Sequence, residues 1–123
     1  MIETRHIDVP ARGDAHETRL AVHMRGHGPL AVLVHGYPLD HRMWLDTLHG
    51  PLAERRTLAA IDLRGHGQSP TTGDPMHTME LLADDVAMVV RSLADEPADV
   101  VGLSMGGYVA FALWARSPGL VRS

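Results

Sequence analysis

The chain has 123 residues, no cysteine and a formal net charge of −4, with a mean hydropathy of −0.06. This length suffices for one globular unit with its own core, and the lack of cysteine excludes a disulfide scaffold, a thiolate metal site and a cysteine nucleophile. An acidic balance without a run of Lys or Arg argues against nucleic acid and anionic membranes as partners.

The amino-terminal residues do not have the pattern of a targeting segment. Residues 1–6 lack the basic and apolar regions of a signal peptide. No apolar run approaches the roughly 18 residues of a membrane span. Together with the missing cysteines, this predicts a cytoplasmic protein.

Five segments have the composition of β-strands. Residues 4–9 and 18–24 flank a turn-rich stretch and predict an antiparallel hairpin. Continuous apolar runs are typical of strands that are buried on both faces of a sheet. Such runs occupy residues 30–34, 57–63 and 98–103. We therefore expect a sheet that is covered by helices.

Three segments show the three- and four-residue apolar spacing of helices. Residues 76–95 carry the clearest pattern, with Thr78 placed as the N-cap. Residues 41–55 predict a helix that Pro51 must bend or interrupt, because proline cannot donate a helical hydrogen bond. Residues 105–116 predict an Ala-rich helix.

The order of these elements indicates the fold class. Strands that alternate with helices require right-handed crossovers, so the pattern predicts one α/β unit over residues 1–123 with a mostly parallel sheet and an antiparallel first hairpin. Residues 64–75 are rich in glycine and proline and predict a long loop. Residues 120–123 have the character of the beginning of a further strand.

Residues 102–106 read Gly-Leu-Ser-Met-Gly and match G-x-S-x-G between a predicted strand and a predicted helix, the context of a nucleophile elbow. Ser104 must then occupy a strained backbone position, and Gly102 and Gly106 remove side chains that would collide in the tight turn. The helix N-terminus behind the serine favours developing negative charge. The motif predicts Ser104 as a nucleophile, and the alternative is a serine that only caps the helix.

Two further segments resemble those of the α/β-hydrolase family. Residues 35–38, His-Gly-Tyr-Pro, are similar to the family's His-Gly-x-Pro loop, and residues 62–69 are similar to its Asp-x-Arg-Gly-x-Gly-x-Ser loop. With the elbow, three motifs occur in the family's order. The resemblance implies the sheet order 1-2-4-3-5, and it covers about the first half of a family member, so we expect a truncated α/β-hydrolase fold.

The resemblance also implies roles for individual residues. The backbone N–H groups of Tyr37 and Met105 would form the oxyanion hole, and Gly36 would let the loop approach closely. His35 is a tempting base, but the family pattern makes it a residue that orders the loop.

The remaining implied roles are structural. Asp62 and Arg64 would make local hydrogen bonds that shape the neighbouring loop. No metal or cofactor is expected, because the nine histidines show no ligand spacing such as HExxH. Most of them are interpreted as solvated loop residues.

In the family the triad acid and base follow the serine in the chain, and neither position occurs in these residues. Ser104 would lack the base that activates a serine hydroxyl. The first hypothesis is therefore a serine hydrolase that acts on esters, lactones or related small carbonyl compounds by acyl transfer, in a chain that is inactive alone. Because the haloalkane dehalogenases and epoxide hydrolases of the family usually carry Asp at the elbow, the resemblance disfavours those two chemistries, and it leaves cofactor-free haloperoxidase-like chemistry open.

The second hypothesis is a non-catalytic fragment or interaction module. The strand near Val100 would be an exposed apolar edge, which predicts a homodimer, a swapped assembly or pairing with a complementary carboxy-terminal half. A third possibility combines the two, with a base supplied in trans. The candidates for that base are His23, His27, His41, His49 and His77.

Overall fold

Five β-strands form one mixed sheet in a computed structural model that describes residues 1–74 and 76–123. The strands are β1 (Glu3–Val9), β2 (Thr18–Gly26), β3 (Leu30–Val34), β4 (Thr57–Ile61) and β5 (Asp99–Gly102). The α-helices are α1 (Leu45–His49), α2 (Met79–Leu93) and α3 (Met105–Arg116), and short 3-10 helices lie at His41–Trp44, Pro51–Glu54 and Pro118–Leu120. The last residue of the predicted loop, Pro75, lies outside the described residues.

The sheet has the order β1-β2-β4-β3-β5, which confirms the order that the resemblance implied. The β1–β2 and β2–β4 pairs are antiparallel, and the β3–β4 and β3–β5 pairs are parallel. Val34 is paired with Ile61 on one side and with Gly102 on the other. The carboxyl ends of three parallel strands thus reach one edge of the sheet, where open α/β sheets bind ligands.

Helices cover both faces of the sheet, as the continuous apolar strands predicted. Neighbouring side chains of a strand point to opposite faces. Val32 packs in the larger cluster with Val86 of α2 and Val109 of α3, whereas Leu33 packs in a smaller cluster with Leu48 of α1. The buried sheet therefore fixes the positions of the loops at its edge.

The helices begin and end close to the predicted residues. Thr78 caps α2 by accepting the Leu81 N–H over 3.1 Å, which confirms the predicted N-cap. The interruption that Pro51 predicted is also observed: Gly50 is extended, with ψ −177°, and the segment is divided into three short pieces. Within the described ranges, no helix has both the length and the apolar character to cross a membrane.

Residues 120–123, which were expected to begin a further strand, lie along the outer edge of β5. Val121 forms a single parallel bridge with Ala98, and the Val100 N–H donates to the Ser123 carbonyl over 2.9 Å. The edge near Val100, expected to be exposed, is therefore partly covered by the chain itself.

Candidate active site

Ser104 lies at the turn between β5 and α3 in a strained backbone conformation. Its φ is 54° and its ψ is −117°, and among the described residues it is the only non-glycine residue with a positive φ. A side chain in this region costs about 1 to 3 kcal/mol and persists only where the surroundings impose it. The side chain of Ser104 is exposed and does not cap α3, which contradicts the alternative of a simple capping serine.

Three glycines create the space that this turn needs. A Cβ atom on Gly102 would collide with the carbonyl of Gly106, and one on Gly106 would collide with the carbonyl of Val34. A Cβ on Gly36 would lie 3.2 Å from the Leu103 carbonyl oxygen and 3.5 Å from the Ser104 Cβ. The predicted elbow glycines thus allow the turn to pack against the end of β3, and Gly36 brings its loop against Ser104.

The first turn of α3 leaves one N–H available at the serine. Gly106 donates to the Leu103 carbonyl over 2.9 Å, and Gly107 donates to the Ser104 carbonyl over 2.8 Å. In the described part of the chain, the Met105 N–H has no acceptor. An available N–H at a helix N-terminus is a suitable donor to a negatively charged oxygen.

The loop between β3 and His41, residues 35–40, lies next to this turn, and we call it the Tyr37 loop. Leu39 donates its N–H to the Gly36 carbonyl over 2.8 Å, which closes a tight turn around Tyr37 and Pro38. The Tyr37 side chain is exposed and its ring meets His66 edge-on at 5.8 Å. Tyr37 and Ser104 thus share one end of the sheet, as their positions after β3 and β5 predicted.

His35 is fully buried, and both of its ring nitrogens are engaged. The Leu63 N–H donates to Nε2 over 3.0 Å, so Nε2 must be unprotonated, and Nδ1 donates to the Gly36 carbonyl over 2.9 Å. Burial lowers the pKa of His35, and the Gly36 hydrogen bond opposes this only in part. The side chain links the Tyr37 loop to the segment after β4.

Asp62, which directly follows β4, forms the centre of a second buried network at the carboxyl ends of the parallel strands. Its carboxylate accepts the His41 N–H at 2.8 Å, the His41 Nδ1–H at 2.9 Å, the His23 Nε2–H at 3.0 Å and the Gln68 N–H at 3.0 Å. Burial by itself raises the pKa of Asp62, but the donors from Gln68, His41 and His23 outweigh it and the pKa is lowered. The Tyr37 loop is therefore held at both ends, through His35 and through His41.

The sequence did not indicate the part that His23 and His41 play in this network. His23 is buried in β2, and its ring stacks on that of His41 with centroids 3.4 Å apart. Only four of the nine histidines are exposed, so the interpretation of most of them as solvated loop residues was wrong; the exposed ones are His6, His16, His27 and His49. The signal in the sequence was a histidine within the otherwise apolar run of residues 20–24.

Arg64 is fully buried in an ion-pair network that joins its loop to α2. Its guanidinium donates to both carboxylate oxygens of Asp85 at 2.9 Å and to Asp74 at 2.9 Å. Arg12 is the fourth member of this network, since it donates to Asp85 over 2.6 Å. The expectation of local hydrogen bonds was therefore wrong for Arg64, because its carboxylate partners lie 10 and 21 residues away in the chain and are brought to it by the packing of α2 and the loop before it.

Comparisons with known proteins agree with this geometry. The family model for the alpha/beta hydrolase fold matches residues 29–123. AB hydrolase superfamily protein YisY of Bacillus subtilis is 38% identical over 96 residues, which cover 76% of this chain and 35% of the relative. The 2-(acetamidomethylene)succinate hydrolase of Mesorhizobium japonicum is 36% identical over 117 residues, which cover 94% of this chain and 41% of the relative.

Solved structures show the same fold. An N-acyl homoserine lactonase complexed with N-hexanoyl homoserine superposes with a TM-score of 0.87 at 28% identity, covering 99% of this chain and 43% of its own. A thermophilic esterase from Thermogutta terrifontis superposes with a TM-score of 0.85 at 35% identity, covering 97% of this chain and 43% of its own. The chain thus spans 35% to 43% of the length of these proteins. It belongs to the α/β-hydrolase fold family.

Proposed function

We propose that this chain carries the nucleophile of a serine hydrolase that acts on esters or related small carbonyl compounds by acyl transfer. The observation that carries the proposal is the positive φ of Ser104 at the exposed turn between β5 and α3. The two elbow glycines let the turn that carries Ser104 pack against the end of β3, and Gly36 lets its loop approach the Ser104 side chain. This conformation places an exposed serine at the turn between strand and helix, as a nucleophile elbow requires.

In the proposed reaction, Ser104 Oγ attacks the substrate carbonyl carbon and loses its proton to a base. The oxygen of the tetrahedral intermediate then accepts hydrogen bonds from the N–H groups of Met105 and Tyr37. Within the described part of the chain, no side chain is hydrogen-bonded to the Ser104 hydroxyl. We therefore assign the base and its orienting acid to polypeptide other than these residues, and His35 to holding the loop.

The class of substrate is inferred from the relatives. Proteins named as esterases, methyl ester esterases and a lactonase are similar to this chain. Each of these names describes attack on a carbonyl carbon bonded to oxygen, which a serine and an oxyanion hole can perform. The lack of cysteine favours a reducing compartment, such as the cytoplasm, for the activity.

An exposed apolar face beside β5 supports a proposal about the partner. Val101, Tyr108, Phe111 and Trp114 are exposed, and Phe111 and Trp114 line a groove of about 500 Å³. An apolar patch of this kind marks an interaction surface. The chain spans only 43% of the solved esterase, and its own last residues already lie parallel to β5 here. We infer that the occupant of this face is the polypeptide that completes the sheet and supplies the base.

A chimera tests the proposed function. Residues 1–123 are joined to the part of the Thermogutta terrifontis esterase that follows its matched 43%, and circular dichroism shows whether the product folds. We expect hydrolysis of short-chain p-nitrophenyl esters, reduced by about 10³-fold or more in the Ser104→Ala variant. A folded chimera that turns over no ester, or that is equally active with Ser104→Ala, would contradict the proposal.

A further inference from the structure

The network around Asp62 contains a set of metal-ligating atoms that the proposed reaction does not use. His23 offers Nε2, His41 offers Nδ1 and Asp62 offers a carboxylate oxygen, and these atoms lie within 4.8 Å of one another. We propose that the three side chains form a binding site for a divalent transition-metal ion of the Zn²⁺ class. The proposal is independent of the chemistry assigned to Ser104.

The spacing of the ligand atoms is close to that of a metal site. Metal bonds of about 2.0 to 2.2 Å separate neighbouring ligand atoms by roughly 2.8 to 3.1 Å in octahedral geometry and by roughly 3.3 to 3.6 Å in tetrahedral geometry. The Asp62 carboxylate lies 3.0 Å from His23 Nε2 and 2.9 to 3.1 Å from His41 Nδ1. A metal ion would take the place of the two imidazole protons that now bridge these atoms to the carboxylate, and each proton would move to the other nitrogen of its ring, so that both imidazoles bind the ion as neutral ligands.

The chemistry of the donors selects the type of ion. Imidazole nitrogens suit Zn²⁺, Ni²⁺, Co²⁺ and Cu²⁺, whereas Mg²⁺ and Ca²⁺ prefer sites made only of oxygen. Two imidazoles and one carboxylate leave at least one coordination position for water. The Asp62 side chain is fully buried, and the His23 side chain is 3% exposed, so water competes weakly for the protein ligands. His41 is 13% exposed and provides the side from which an ion can enter.

The outer contacts of the site match those of metal-bound histidine. A ligating histidine donates its second ring N–H to a neighbouring oxygen, which fixes the tautomer. His23 has such a neighbour, because the Thr4 hydroxyl lies 2.9 Å from its Nδ1. The Gln68 N–H holds the Asp62 carboxylate at 3.0 Å. The orientation of both ligands is therefore set before an ion arrives.

Binding would change one feature of the network. The rings of His23 and His41 are stacked with an interplanar angle of 19°, and two imidazoles on one ion must turn their nitrogens towards a common point. The stack must open at His41, the more exposed of the two rings. The ion would then join β2, the end of the Tyr37 loop and the end of β4, so it would raise the melting temperature of the protein.

Titration with the metal alone tests the site. The chain, expressed without a histidine tag and freed of metal by a chelator, is titrated with Zn²⁺ by calorimetry. We expect one saturable site that is weakened by about 100-fold or more in His23→Gln and in His41→Gln. The matched control is His49→Gln, because His49 is exposed and lies outside the cluster; its affinity should equal that of the parent chain.

A measurement on the unaltered chain keeps the test decisive if a variant fails to fold. Zn²⁺ at less than one equivalent should shift the ring NMR signals of His23 and His41 before those of the exposed histidines. Saturable binding that His49→Gln weakens equally, ring signals that shift only at exposed histidines, or no saturation below about 1 mM would overturn the proposal and leave a hydrogen-bonded cluster only.

Discussion

The backbone N–H of Leu63 donates to Nε2 of His35 across 3.0 Å. This one contact fixes the neutral tautomer of a fully buried imidazole, because the nitrogen that accepts cannot also carry a proton. It joins the Tyr37 loop to the segment after β4. A histidine next to a nucleophile motif is thereby used as a structural link, and both of its nitrogens are occupied.

The unfolding free energy should depend on pH through the buried side chain of His35. Burial lowers the pKa of His35 in the folded protein, so the unfolded chain binds more protons, and stability falls as the pH drops below the unfolded pKa of about 6.5. His35→Gln keeps an acceptor for the Leu63 N–H but cannot titrate. Urea unfolding between pH 7 and pH 5 should show a shallower loss of unfolding free energy in this variant, by at most about 1.4 kcal/mol per pH unit.

His49→Gln serves as the control for this slope, because the His49 side chain is exposed. Its pH dependence should follow that of the parent chain. Identical slopes for the parent chain and His35→Gln would show that His35 does not fold as the neutral species.

Gly106 should tolerate no side chain. A Cβ there would collide with the Val34 carbonyl and lie 2.7 Å from the His35 carbonyl oxygen, both of them backbone atoms that cannot rotate away. Gly106→Ala should lower the unfolding free energy by about 3 kcal/mol or more. Gly119→Ala, at a position with nothing within 4 Å, should change it by less than about 0.5 kcal/mol. Equal effects in chemical denaturation would contradict the packing described at the elbow.

The buried pair between Arg64 and Asp85 should matter far more than an exposed pair of the same geometry. Both side chains are fully buried, so Arg64→Gln leaves a buried carboxylate with incomplete compensation and should cost about 3 to 5 kcal/mol. The Arg116–Asp84 pair is also bidentate, with both distances 2.8 Å, but it is solvent-exposed. Arg116→Gln should leave the unfolding midpoint unchanged. A small effect of Arg64→Gln would show that the network is not a stabilising link between its loop and α2.

When the polypeptide that we propose for the apolar face beside β5 is not supplied, a second copy of the chain should cover this face instead. Phe111 is 70% and Trp114 61% exposed. In the sheet of the described residues β5 is an edge strand, and an edge strand favours pairing with another chain. We expect dimers in sedimentation at micromolar concentration, and mainly monomers with Trp114→Glu. Leu52→Glu, at another exposed apolar position, should not dissociate them. A monomeric parent chain under these conditions would contradict the prediction.

Most of the fold follows from local sequence signals. Residues 30–34 match β3 and residues 105–116 match α3, because a continuous apolar run and a bounded Ala-rich segment each allow a single assignment. The order of the strands came from the resemblance carried by three motifs. The bounds of the three short helices within residues 41–54 could not be predicted, since proline indicates an interruption but does not define the helices on either side of it.

The candidate site was predictable where its residues are adjacent in the sequence. Gly102, Ser104 and Gly106 form one motif whose spacing reflects one turn. The His23–Asp62 contact joins residues 39 apart and the Arg64–Asp85 contact joins residues 21 apart. Neither has a local pattern, because such contacts depend on how β2, β4 and α2 are arranged in space.

Site-resolved labelling tests whether Ser104 is the nucleophile that we propose. The chimera of residues 1–123 with the Thermogutta terrifontis esterase segment, which supplies a base, is incubated with a fluorophosphonate, and peptide mass spectrometry gives the labelling rate of each serine; Ser92 is also exposed and serves as the internal control. Ser104 should react at least about 100-fold faster than Ser92, because the supplied base takes its proton and the proposed oxyanion hole, formed by the Met105 and Tyr37 N–H groups, stabilises the attacked phosphoryl oxygen. Equal labelling of Ser104 and Ser92 would contradict the assignment of Ser104 as the nucleophile.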